Sequence, residues 1–186
     1  MAVELSEKNL KKPLQNCRAL VIGGGAIGLL CALILEKIKS CSEVYLSEPN
    51  QKRLDVCSKN LSSKTVKPND KILNENSFDV VFDTVGLEIT RQTSIKMVKP
   101  GGTIIHIGLT QPAGNFDFRK ATLQEITFIG TYCYTNKDFE KTLSILSKNE
   151  IGNLDWIEFR KLNKGSEAFK EIHDGTCSAP KIILIP

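Results

Sequence analysis

The sequence predicts an α/β fold, a doubly wound parallel sheet with helices on both faces. Three observations predict it. Short runs rich in Val, Ile and Phe recur along the 186 residues. Helix-like stretches separate them. Several of the runs are apolar throughout, as parallel strands covered on both faces require. Strand and helix in regular alternation build a parallel sheet, and right-handed crossovers place the helices on both sides of it.

The elements follow in order. The strand Arg18–Ile22 leads into a helix over Ile27–Ile38, then the strand Val44–Glu48 and a helix over Gln51–Lys59. The polar stretch Asn60–Phe78 carries only a brief strand near Thr65–Lys67, so any helix there is rudimentary. Next come the strand Asp79–Thr84, a helix over Glu88–Val98, the strands Thr103–Ile107 and Glu125–Thr131, and a helix over Asp138–Ser147. After Lys148 the alternation weakens into a small unit: Ile157–Phe159, a helix over Ser166–Ile172, and a last strand Lys181–Ile185. No internal repeat or low-complexity segment interrupts the pattern.

Composition removes several function classes. Hydrophobic residues at 41% and charged residues at 25% are those of a globular domain. The net charge of +4 comes from scattered lysines, the pattern of a solvated surface and not of a nucleic-acid site. The apolar run Ala19–Leu35 is too short to span a membrane and is interrupted by Gly23, Gly24 and Gly25. The six cysteines have no C-x-x-C pair and no histidine at zinc-finger spacing. They read as free thiols in a reducing, cytoplasmic setting, with no metal site on this chain.

The chemistry is concentrated in Leu20-Val21-Ile22-Gly23-Gly24-Gly25-Ala26-Ile27-Gly28. This is G-x-G-x-x-G placed directly after a strand and before an apolar helix, the context of a Rossmann-type nucleotide turn. Gly23 permits the tight turn, Gly25 lets the backbone approach a pyrophosphate, and Gly28 lets the helix pack closely on the sheet. Free N–H groups and the helix dipole then favour phosphate. Glu48, about 20 residues further on at the end of the second strand, is placed to accept hydrogen bonds from an adenosine ribose. Such bonds to a charged acceptor contribute roughly 1.5–3 kcal/mol each. The same carboxylate repels a 2′-phosphate by about 4 kcal/mol at an effective dielectric near 20, which favours NAD over NADP. Lys52 and Arg53 weaken that exclusion, because either can reach a phosphate.

The motifs "ALVIGGGAIGLL", "VYLSEPNQKRL", "FDVVFDTVG", "VKPGGTIIHIGL" and "EITFIGTYCYTNKDFEKTLSIL" resemble, in order and over nearly the whole chain, the cofactor domain of zinc-type medium-chain alcohol and polyol dehydrogenases. The sorbitol, threonine and butanediol dehydrogenase branch is the most similar. The resemblance implies that Gly23, Gly25, Ala26, Ile27 and Gly28 hold the pyrophosphate, and that Glu48 binds the ribose with Arg53 flanking the adenine. It implies that Thr84, Val85 and Gly86 line the cleft. Ile107, Gly108 and Leu109 would present backbone groups to the nicotinamide half, and Thr131 and Cys133 would lie near the carboxamide.

It further implies a division into a Rossmann NAD-binding domain over residues 1–150 and a C-terminal segment over 151–186 that packs onto a catalytic domain. That domain would carry the catalytic zinc and most of what selects an alcohol or polyol substrate. The opening "MAVELSEKNL" is similar to the helix that enters the cofactor domain, so the chain is expected to begin within a longer protein and to bind NAD without catalysis of its own. The strand near 125–134 is similar to the edge through which relatives form homodimers. Two other readings stay open: a free-standing nucleotide-binding or redox-sensing module, and an S-adenosylmethionine methyltransferase, whose glycine loop usually lacks a glycine at the spacing of Gly28.

Overall fold

The computed structural model describes all residues from Met1 to Pro186. A helix α1 (Ala2–Asn9) precedes strand β1 (Arg18–Ile22), helix α2 (Ala26–Leu33), β2 (Glu43–Ser47), α3 (Gln51–Asn60) and the short β3 (Lys64–Val66). Then follow β4 (Phe78–Asp83), α4 (Glu88–Met97), β5 (Val98–His106), α5 (Phe118–Leu123), β6 (Thr127–Gly130) and α6 (Asn136–Ser147). The chain ends with β7 (Ile157–Lys161), α7 (Gly165–His173) and β8 (Lys181–Ile185).

Strands β1 to β6 form one sheet in the order β3-β2-β1-β4-β5-β6, and every neighbouring pair is parallel. From β1 the chain builds outward to β2 and β3, then returns to place β4 on the other side. The connections leaving β1 and β4 therefore diverge at the carboxyl ends of the strands, which opens the crevice where such sheets take ligands.

Side chains alternate between two cores. Ala19, Val21, Val44, Leu46, Val80, Phe82 and Ile105 face Leu29 and Leu33 of α2 and Leu54 of α3 on one side. Leu20, Ile22, Tyr45, Val81 and Ile104 face Ile95 and Met97 of α4 on the other. A fully buried aliphatic or aromatic side chain contributes about 1.5–3 kcal/mol, so the central strands β1 and β4, apolar on both faces, anchor the domain.

The sequence expectations hold for the architecture and shift at several edges. β2 ends at Ser47 and β4 at Asp83, which puts Glu48 and Thr84 just past their strands. The helix expected over Ile27–Ile38 is α-helical to Leu33 and continues as a π-helical turn over Ile34–Ile38. In that turn Glu36 accepts from the N–H groups of Ser62 and Ser63 at 3.2 and 2.8 Å, tying the turn to the entry of β3. β5 begins at Val98 rather than Thr103, pairing Val98 with Phe78 before a register shift.

The strand expected over Glu125–Thr131 is only Thr127–Gly130, because Glu125 lies at φ 51°, outside the extended region. Helix α5 has no counterpart in the sequence reading; its six residues are too few for a period to show. The last strand is not in the main sheet: β8 pairs with β7, parallel, across α7. Between β3 and β4 the chain makes turns at Lys67–Asp70 and Asp70–Leu73 and no helix.

Candidate nucleotide-binding site

The glycine turn joins β1 to α2. Gly23 sits at φ 104°, a conformation that side chains disfavour, and its N–H donates to the Ser47 carbonyl at 2.8 Å. A Cβ on Gly28 would fall 1.8 Å from the Gly23 carbonyl oxygen, so only glycine lets α2 start this close to the strand. Gly25 differs: a Cβ there meets nothing within 4 Å. It is the N-cap of α2 with no side chain to cap it, and the amides of Gly25, Ala26 and Ile27 meet no loop or side-chain acceptor. A helix start with unpaired N–H groups facing open space is an anion cradle.

Glu48 is buried beside it. Its Oε2 accepts from the Gly24 N–H at 2.7 Å and its Oε1 from the Asn50 N–H at 2.9 Å, with Arg53 Nη1 3.8 Å away. The two amides fix the carboxylate, and the remaining lone pairs are available to a diol. Asn50 caps α3 through its Oδ1, which accepts from the Arg53 N–H at 3.2 Å. Cys57 packs behind the turn, and burial together with the nearby Glu48 charge pushes its thiol up to about 12.

Across the crevice, the ends of β4 and β5 are braced by Asp83. This carboxylate has no exposed surface. It accepts from the N–H groups of Val85 (3.1 Å) and Gly86 (2.9 Å) and from Thr90 Oγ1 (3.1 Å), and it lies 3.2 Å from His106 Nδ1. Its own backbone carbonyl accepts the amides of Ile107 and Gly108. Gly86 and Gly108 cross so closely that a Cβ on Gly86 would lie 2.0 Å from the Gly108 oxygen. Arg91 donates to the carbonyls of Gly86, Gln111 and Ala113, holding the loop that follows β5. Thr84 Oγ1 donates to the Ile22 carbonyl at 2.7 Å and lies against the positions of Gly23 and Gly28, which joins the two sides of the crevice.

The structure therefore brings Gly23, Gly25, Ala26, Ile27, Gly28, Glu48 and Arg53 together on one side, and Thr84, Val85, Gly86, Ile107, Gly108 and Leu109 on the other. The amides of Val85, Gly86, Ile107 and Gly108 are engaged within the chain. What that side can offer a ligand is the Leu109 N–H, which meets no acceptor within the chain, and the exposed Leu109 side chain. Ile27, Ile107, Thr131 and Cys133 share a mostly apolar cavity of about 380 Å³ between α2, α1 and the start of α6.

Asp83, Thr90 and Arg91 were not singled out by the sequence. Only Asp83, at a strand end before Thr-Val-Gly, carried a visible signal. No group of three or more His, Cys, Asp or Glu side chains is arranged to hold a metal, so the donor set for a zinc ion is not among these residues.

Known proteins resemble this chain in sequence and in fold. The chain is 26% identical over 188 residues to a probable D-xylulose reductase A of Aspergillus clavatus, covering 94% of this chain and 52% of that protein. It is 29% identical over 185 residues to the (R,R)-butanediol dehydrogenase of Saccharomyces cerevisiae, covering 90% and 48%. It superposes with a TM-score of 0.81 and 19% identity on the acetophenone reductase of Geotrichum candidum, solved in complex with NAD, over 92% of this chain and 49% of that one. The chain thus spans about half the length of the relatives it matches. The family model described as zinc-binding dehydrogenase matches residues 26–148, more than half of the chain. The chain belongs to the zinc-binding dehydrogenase family.

Proposed function

We propose that this chain holds NAD for an oxidoreductase that transfers hydride between the nicotinamide and an alcohol or polyol. One observation carries the reading: the open space over Gly25, faced by unpaired amides and flanked by the fixed carboxylate of Glu48. In it Gly23, Gly25, Ala26, Ile27 and Gly28 hold the pyrophosphate, and Glu48 with Arg53 receives the adenosine. Thr84, Val85, Gly86, Ile107, Gly108, Leu109, Thr131 and Cys133 line the nicotinamide half. Bound NAD supplies the hydride acceptor, and this chain's residues bind it, orient it and exclude water. The buried Glu48 favours a free 2′-hydroxyl over a 2′-phosphate, so NAD is preferred to NADP.

Residues 1–150 form the NAD-binding domain, and 151–186 the segment that meets a catalytic domain carrying the zinc. The chain spans about half the length of its relatives; in this reading it binds NAD, and oxidation of an alcohol needs the zinc ligands of the catalytic domain. The edge strand β6, with Phe128 44% exposed, and the segment after it, with Tyr132 82% exposed, support a homodimer through residues 125–134. No helix is long and apolar enough to cross a membrane, and six free thiols fit a cytoplasmic protein.

Isothermal titration tests the reading. NAD is expected to bind in the micromolar to millimolar range and NADP more weakly. Absence of heat with NAD at millimolar concentration would exclude the site.

A further inference from the structure

The turn between α7 and β8 reaches back across the chain to the adenosine side of the crevice. Asn50 Nδ2 donates to the Gly175 carbonyl at 2.5 Å and lies 3.4 Å from the Cys177 carbonyl. Arg53 Nη2 donates to the same Cys177 carbonyl at 3.3 Å. The guanidinium of Arg53 is thus stretched between Cys177 and Glu48, with Nη1 3.8 Å from the Glu48 carboxylate. Its Nε is buried without a partner. The turn is shaped for this contact: Gly175 lies at φ 67°, and the amides of Thr176 and Cys177 both donate to the Glu171 carbonyl, so the carbonyls of 175 and 177 face α3.

This matters because a guanidinium grips a phosphate through a free fork of N–H donors. In Arg53 that fork is divided between a backbone carbonyl and a carboxylate. We propose that the Gly175–Cys177 turn, held by Asn50, is a specificity device that keeps the Arg53 fork turned away from a 2′-phosphate and so preserves the preference for a free ribose diol. Asn50 is a positioning residue in this scheme, acting through Arg53. The inference rests on the cofactor reading above. It adds that the choice between NAD and NADP is controlled from the far end of the chain as well as by Glu48. Lys52, exposed and untethered, is not part of the device.

Two variants separate the tether from other roles. In Asn50→Ser the hydroxyl can still cap α3 but is too short to reach the turn. In Gly175→Val the new side chain meets open space, while φ 67° strains the turn itself. Hydrogen exchange is read at residues 174–178, and NAD and NADP are titrated on the full chain. Amide exchange in the turn is expected to accelerate about tenfold in each variant, and the ratio of NADP to NAD dissociation constants to fall at least threefold. A general loss of structure would weaken both nucleotides together and leave that ratio in place.

Faster exchange confined to residues 174–178, with NAD affinity retained and the ratio unchanged, overturns the proposal. So does unchanged exchange in both variants, since the turn is then not held by this tether. If the wild-type chain binds neither nucleotide, the cofactor reading fails and this inference with it; if NAD binds and only the ratio fails to move, the cofactor reading stands.

Discussion

The two sides of the crevice are built on opposite plans. At the end of β1 the backbone is left open: Gly25 faces empty space and the first amides of α2 are unpaired. At the ends of β4 and β5 almost every polar group is engaged, with Asp83 accepting from both loop amides and a threonine, and Arg91 holding three carbonyls. An unpaired helix start costs little while water or an anion can reach it, whereas a buried carboxylate must be satisfied by the protein. One side is therefore a cradle and the other a brace that fixes the cradle's opposite wall.

The brace should break first and hardest. Asp83→Ala leaves the Val85 and Gly86 amides and the Thr90 hydroxyl without their acceptor, and is expected to cost about 3–5 kcal/mol, seen as a lower denaturant midpoint. Gly28→Ala drives a methyl into the Gly23 carbonyl and should cost about 2–3 kcal/mol of stability, together with nucleotide binding. Gly25→Ala sharpens the contrast. Its methyl meets no protein atom, so stability should change by less than about 0.5 kcal/mol. NAD affinity should fall about tenfold or more, roughly 1.4 kcal/mol. Equal loss of stability in Gly25→Ala and Gly28→Ala would end the distinction between the two glycines.

Two smaller effects test Cys133 and the opposite end of the sheet. Of the six cysteines Cys133 is the exposed one, while burial pushes Cys31 and Cys57 up to about 12 and Cys41 up to about 11. One thiol should therefore react rapidly with an aromatic disulfide, be lost in Cys133→Ser, and be slowed by NAD if Cys133 lines the nicotinamide half. At the opposite end of the sheet, burial alone would raise the pKa of Asp79. The Arg18 N–H and the ammonium groups of Lys12 and Lys99 outweigh burial and hold it below the usual value. A carboxyl with a depressed folded pKa adds stability above its unfolded value near 4, and that contribution is lost as pH falls through the folded one. Asp79→Asn should therefore flatten the loss of stability on acidification below about pH 4 and leave nucleotide binding unchanged.

The cradle was legible in the sequence because its tasks fall on residue types with no substitute. Gly23 and Gly28 answer local steric demands, Gly25 leaves open space over the helix start, and Glu48 follows one strand later. The parallel order was legible for a similar reason, since strands such as Val80–Phe82 carry no polar face. The brace was not. Thr90, His106 and Arg91 look like ordinary polar residues until the chain brings β4, α4 and β5 together, and Asp83 is marked only by its place at a strand end. The near-contact of Gly86 with Gly108 depends on two loops that are far apart in sequence. Lys181–Ile185 has the composition of a buried strand yet pairs with β7 in a small separate sheet and leaves Ile183 and Ile185 exposed, because composition fixes neither a strand's neighbours nor what covers it.

Arg91 has a consequence for how this region moves. Its largely buried guanidinium donates to the carbonyls of residues 86, 111 and 113, and the residue also lines a cavity of about 540 Å³ beside His106, Gly108 and Phe116. Peeling one carbonyl away would leave a permanent charge undersolvated in a low-dielectric pocket. The segment from Gly108 to Gly114 is therefore expected to open as one unit, when all three carbonyls leave Arg91 together, and its amides to exchange at a common rate.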